Sequence, residues 1–337
     1  MLRKSMFWAS FTIVALAFAF VVLEAEETET RIRMSTICGV DDRQPDDGYP
    51  VARVYFNGRE EAICTAWIAP NGWMVTAGHC ASGNYRFDEV QFQVPASTCD
   101  GDIQNPPAAF RFPVIQESIQ HRVDLASTQD WAIFRIQTNE TGMPEAFRKG
   151  MFFRISNERI SKDSNRNLRN TGFGVELRTF QGCKNRNRTM QSSEAKAYNS
   201  PGYLIHFADT HMGSSGSPLY VNRQGDLFVY GTHRGGGCPN LATSVLNPGF
   251  LEALSMAWGR PTVFLDHLGP LRGESTGGME APYRDFKKAV EQVEMDGELS
   301  IAPGSYSVQN LRIPDRPFRI RAPFGSISIH QNSGEYQ

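Results

Sequence analysis

The sequence predicts an all-β protein, and three observations carry that prediction. Short runs rich in β-branched and aromatic residues recur at 51–56, 63–68, 73–76, 90–94, 131–136 and 227–230. Gly, Pro, Asn and Asp separate them, so each run ends in turn chemistry and does not continue as a helix. Six cysteines follow an export-like N-terminal segment, which suits a fold held partly by disulfides. Short strands of this kind close into sandwiches or barrels.

Length and composition set the frame. The 337 residues suffice for one β-domain of ordinary size plus a small addition. Apolar residues at 40% and charged residues at 21% exclude wholesale disorder. A formal net charge of -2 gives no basis for a nucleic-acid partner.

At the N-terminus, Arg3 and Lys4 precede an apolar stretch from Met6 to Leu23, and Ala25 stands at its exit before Glu26 and Glu27. A basic head, an apolar run and a small residue make an export signal, expected over 1–25. The run is close to the shortest that spans a bilayer, so a retained membrane anchor stays open. Either way the remainder is extracytoplasmic, secreted or periplasmic. Residues 26–35 are polar and charged, a leader or a short propeptide.

The main domain is expected over 36–268, with surface loops at 100–107 and 161–170. A helix is expected over 248–257, with Asn247 as N-cap and Pro248 in its first turn. Residues 269–282 are rich in Gly and Pro and read as a linker. Beyond it, Phe286, Ala289, Val290 and Val293 have helical spacing, and short alternating runs follow around 299–301, 306–308, 318–321 and 327–329. Residues 269–337 are therefore a linker plus a small α+β extension.

Three segments carry chemistry when taken together. Thr76-Ala77-Gly78-His79-Cys80 places a histidine after a strand. Asp130-Trp131-Ala132-Ile133 places an acid before an apolar strand. Gly213-Ser214-Ser215-Gly216-Ser217-Pro218 places a serine in a loop of small residues. A serine nucleophile needs a base, an acid that orients the base, and backbone N–H groups close to the oxyanion. Asp124 lies in the same window as Asp130, and the apolar run directly after Asp130 favours the latter. Metal binding is not expected, since no Cys-x-x-Cys pair or close Cys/His cluster occurs. No cofactor is needed.

These segments, in this order, resemble the motifs of chymotrypsin-like serine proteases over about residues 38–268. The resemblance implies two six-stranded antiparallel β-barrels and a C-terminal helix. It implies His79, Asp130 and Ser215 as a catalytic triad, and Gly213 and Ser215 as oxyanion donors, in an endopeptidase acting on protein or peptide substrates. Three departures from the family pattern occur, one of them Ser217 in place of a glycine in the serine motif. Gly78 replaces a second alanine in the histidine motif, and Ser214 replaces the aspartate that pairs with a freed N-terminal amine in trypsin-type zymogens. The family also implies a Cys64–Cys80 disulfide. For the other four cysteines, Cys183–Cys238 beside the substrate pocket is expected, with Cys38–Cys99 as the remainder.

Specificity divides between two sets of residues. Asp209, six residues before Ser215, stands where trypsins read Arg or Lys. Thr210 and His233 resemble the carboxylate-binding residues of bacterial glutamyl endopeptidases (V8-like), which implies a preference for Glu. The acidic reading is preferred, with the basic one as the alternative. A catalytically silent binding module is a further alternative. The tail over 278–329 resembles a first coil of the right-handed parallel β-helix, which cannot bury a core alone and should pack on the main domain or on a partner. The sequence leaves the oligomeric state open.

Overall fold

The computed structural model describes residues 36–331, apart from 48–49, 57–62, 83–86, 125–127 and 326. The expected signal peptide and leader lie outside these residues. No helix among them is long and apolar enough to cross a membrane.

The first half contains β1 (Gln44–Pro45), β2 (Val51–Tyr55), β3 (Ile63–Ile68), β4 (Met74–Thr76), β5 (Glu89–Gln91), β6 (Arg111–Asp124) and β7 (Gln129–Ile136). Six of these close a barrel in the order β2-β3-β4-β7-β6-β5. The next seven strands are β8 (Phe153–Ile155), β9 (Asn167–Gly172), β10 (Gln191–Ser200), β11 (Tyr203–His206), β12 (Pro218–Arg223), β13 (Asp226–Gly236) and β14 (Asn240–Ser244). Here β9 pairs antiparallel with both β10 and β12, which closes a second six-stranded barrel. Strand β1 adds to β10, and β8 runs parallel to β13.

The runs are apolar on both faces for a reason visible in the packing. Ala52, Val54, Ala66, Ile68, Met74 and Phe134 fill the first barrel. Their strand neighbours Val51, Trp67, Val75 and Ile133 face outward and pack with Phe153, Tyr220 and Val229 in a core shared by the two halves. Trp67, fully buried, sits edge-on to Phe153 at 5.7 Å. Each large apolar side chain buried in this way contributes about 1.5–3 kcal/mol. Burying both faces locks the two barrels together, so the cleft between them is a fixed geometry.

Three α-helices occur among the described residues. They are α1 (Glu145–Arg148), α2 (Pro248–Ser255) and α3 (Phe286–Gln292). Asn247 caps α2 as expected, its side chain accepting the Phe250 N–H at 3.2 Å. The fifth strand is shorter than expected because Gln93 adopts a positive φ of 48° and turns the chain.

The tail contains β15 (Thr262–Leu265), β16 (Glu298–Ile301), β17 (Gly304–Val308), β18 (Arg319–Arg321) and β19 (Ile327–Gln331). Strands β15-β16-β18 and β17-β19 pair in parallel. Its core, around Leu265, Phe286, Val290, Leu299, Ile301 and Tyr306, is small. It packs on the barrels. Phe324 lies 4.6 Å from Phe152 and 5.5 Å from Phe147, and Arg154 forms 2.7 Å ion pairs with both Asp226 and Asp266.

Candidate active site

His79 sits in a 3-10 turn (Gly78–Cys80) that leaves β4. Cys64 and Cys80 are joined as expected, which ties this turn to β3. The three ligand-type residues Cys64, His79 and Cys80 cluster closely, but the disulfide consumes both thiols. Gly78 fits here because a Cβ at this position would lie 2.2 Å from the Arg122 carbonyl oxygen and 2.8 Å from the Trp131 nitrogen. The turn is pressed against β6 and β7, and the next residue meets the acid.

Asp130 holds His79 twice. Its Oδ2 pairs with His79 Nδ1 at 2.8 Å, and its Oδ1 accepts the His79 backbone N–H at 2.8 Å. The Asp130 side chain is 3% exposed and that of His79 39%. Such an arrangement fixes the imidazole ring and its tautomer while leaving the rest of the ring towards solvent. Backbone bonds to the Thr243 hydroxyl, at 3.2 and 3.0 Å, tie Asp130 to β14 of the second barrel. The carboxylate holds His79, and the Asp130 backbone is anchored to the other half.

The Ser215 loop comes from the second barrel and closes on the first. Thr65 N–H donates to the Ser215 carbonyl at 2.7 Å, and Thr65 Oγ1 donates to the Gly213 carbonyl at 2.9 Å. At Gly216, φ is 90°, and a Cβ would lie 2.0 Å from the Thr65 carbonyl oxygen and 2.3 Å from Thr76 Oγ1. Only glycine allows this approach, which brings the serine loop against the strand that leads into His79. Among the described residues, the N–H groups of Gly213 and Ser215 have no backbone acceptor. Ser214 is buried, and its hydroxyl accepts the His211 N–H at 3.3 Å.

The specificity candidates separate. Thr210 is fully buried, and its hydroxyl has no partner among the described residues. His233 is 2% exposed and pairs through Nδ1 with Nε2 of His206 at 3.0 Å. Burial pushes His233 well below the usual histidine range, assisted by His206 and His79, and drives His206 down to about 3. Both rings are neutral at pH 7. His206 was not singled out in the sequence, because one histidine in a strand has no local signal. Asp209 is oriented differently. Its Oδ1 accepts the Cys38 N–H at 2.6 Å and its Oδ2 the Asp42 N–H at 2.9 Å.

The expected pairing of the other cysteines is corrected. Cys38 bonds Cys238, and Cys99 bonds Cys183. The loops carrying Cys99 and Cys183 are aligned by backbone bonds from Lys184 N–H to the Cys99 carbonyl, 2.8 Å, and from Ser97 N–H to the Asn185 carbonyl, 3.0 Å. Cys38 is delivered to Cys238 by the segment that Asp209 binds.

Two closed antiparallel barrels, with a histidine–carboxylate pair on one and a glycine-flanked serine loop on the other, define the chymotrypsin-like class. The chain belongs to the trypsin family, whose profile matches residues 37–255. It is 27% identical over 190 residues to the secreted RxLR effector protein 73 of Plasmopara viticola, covering 53% of this chain. The chain spans 43% of the length of that protein. It is also similar to a solved Glu endopeptidase (17% identity, 67% of this chain and all of that one, TM-score 0.49). Protease Anisep from Arthrobacter nicotinovorans is similar at 15% identity, over 60% of this chain and 93% of that one, with TM-score 0.43.

Proposed function

We propose that the chain is an exported serine endopeptidase with His79, Asp130 and Ser215 as its triad. The doubly bonded His79–Asp130 pair, with the Ser215 loop packed against its strand, carries this proposal. Ser215 Oγ attacks the scissile carbonyl as His79 takes its proton. His79 returns that proton to the leaving amine, and water then hydrolyses the acyl-enzyme by the same exchange. Asp130 keeps Nδ1 protonated and stabilises the imidazolium. The N–H groups of Gly213 and Ser215 hold the oxyanion, each worth about 3–4 kcal/mol in the transition state. Export is supported by the pairing of all six cysteines, which persists only outside the reducing cytosol.

For the residue on the acyl side of the scissile bond, the acidic reading has the better support. Thr210 carries a buried hydroxyl that is unpaired among the described residues, and His233 is backed by a second histidine. A carboxylate would satisfy these donors, whereas an apolar side chain would leave them unpaired. A basic preference requires a free Asp209 carboxylate, and both its oxygens are already bonded. The test is a fluorophosphonate probe on the mature protein, with a peptide library. Labelling at Ser215, lost in Ser215→Ala, is expected together with cleavage after Glu. A folded chain that neither labels nor cleaves refutes the enzyme, and cleavage after Arg refutes the acidic preference.

A further inference from the structure

Segment 36–42 is bound to Asp209 and Thr210, the latter one of the proposed specificity residues. Thr210 N–H donates to the Thr36 carbonyl at 3.4 Å, and the Thr36 hydroxyl donates to the Thr210 carbonyl. Asn240 Nδ2 donates to the same Thr36 carbonyl at 2.8 Å and to the Ala208 carbonyl at 3.0 Å. Cys38 is joined to Cys238. Between these ties, the two oxygens of Asp209 take the N–H groups of Cys38 and Asp42. Asp209 is 4% exposed. Its own N–H donates to Ser193 Oγ at 2.8 Å, so it is fixed to β10 as well.

A buried carboxylate with both oxygens engaged by N–H groups is an anchor, and freeing it to meet a substrate guanidinium would leave those donors unpaired at a cost. We propose that Asp209 is a positioning residue for specificity: it clamps segment 36–42 against 208–210, so that this segment forms the outer wall of the pocket. The proposal rests on the protease reading and gives Asp209 no contact with substrate. Clamping holds Thr210 in place through its two bonds to Thr36. Releasing the clamp should loosen substrate binding more than the chemical step.

Asp209→Ala and Asp209→Asn, each compared with wild type, test this by two measurements. Hydrogen exchange at the Cys38 and Asp42 amides reports the clamp, and steady-state kinetics on peptides with Glu, Leu or Arg before the scissile bond report the pocket. In Asp209→Ala both amides should exchange faster. KM for the best wild-type substrate should rise at least about tenfold, with kcat within about threefold. Asp209→Asn keeps one acceptor oxygen and should fall between the two, which also covers the case in which the alanine variant fails to fold. Unchanged exchange overturns the clamp, and faster exchange with unchanged KM overturns the wall. An Arg preference in wild type that disappears in both variants would make Asp209 a direct reader of substrate. If the wild type is not labelled by fluorophosphonate, the protease reading fails and takes the specificity role with it. Labelled enzyme with unmoved KM defeats this proposal alone.

Discussion

Replacing Gly78 by alanine should damage the site, although alanine is the usual residue of the resembling family at this place. The added Cβ would lie 2.2 Å from the Arg122 carbonyl oxygen and 2.8 and 2.9 Å from the nitrogen and oxygen of Trp131. All three are backbone atoms of paired strands, so none can swing aside as a side chain would. Unbonded carbon and oxygen rest at about 3.3–3.6 Å, so the turn must retreat by about 1 Å. Asp130 cannot follow, since its backbone is bonded to Thr243. Its two bonds to His79, both 2.8 Å, would stretch past hydrogen-bonding range. Misplacing a catalytic group by about 1 Å costs about 100-fold in rate, so kcat should fall by that order with KM little changed. Overpacking should cost about 1–3 kcal/mol, a fall in melting temperature of roughly 2–12 °C. The checks are kcat per fluorophosphonate-titrated site and calorimetric melting. A Gly78→Ala protein with wild-type kcat and melting temperature would refute the close approach and its link to His79.

Two further outcomes are expected. Asp130→Asn should lower kcat by about 10⁴ with KM within a few-fold, because the amide favours the wrong imidazole tautomer; a loss under tenfold in steady-state assays would remove Asp130 from the triad. Free His233 lies well below the usual histidine range, and a bound carboxylate would raise it, so binding Glu would take up a proton. The ratio of kcat/KM for Glu over a neutral residue should then fall as pH rises, because the proton taken up on binding becomes scarcer. A ratio flat with pH would show the carboxylate held by neutral donors.

Much of this was legible in the sequence, and the part that was not has a common cause. Strands β2, β3, β4 and β7 read clearly because each buries apolar residues on both faces. Strand β6 did not, since Pro113 interrupts it and much of its length is exposed. The histidine, aspartate and serine segments could be found because the chemistry demands particular letters next to one another. The partner of His233 lies 27 residues away, and the groups held by Asp209 lie 171 and 167 residues away. Those contacts exist only after the barrels close, and the same holds for the two disulfides whose pairing was corrected.

Ser214 and Asp209 belong to one account. Where trypsin-type zymogens carry an acid, Ser214 spends its hydroxyl on the His211 N–H and has no charge to offer an N-terminal amine. Segment 36–42 is nevertheless fixed, by a carboxylate five positions earlier that grips its peptide N–H groups. An ion pair to an α-amine can form only once the chain has been cut at one bond. Peptide N–H groups at Cys38 and Asp42 are present wherever the chain upstream is cut, and a disulfide at Cys38 holds the same segment covalently. In the proposed enzyme, the grip of Asp209 on segment 36–42 therefore uses peptide N–H groups and needs no newly freed α-amine.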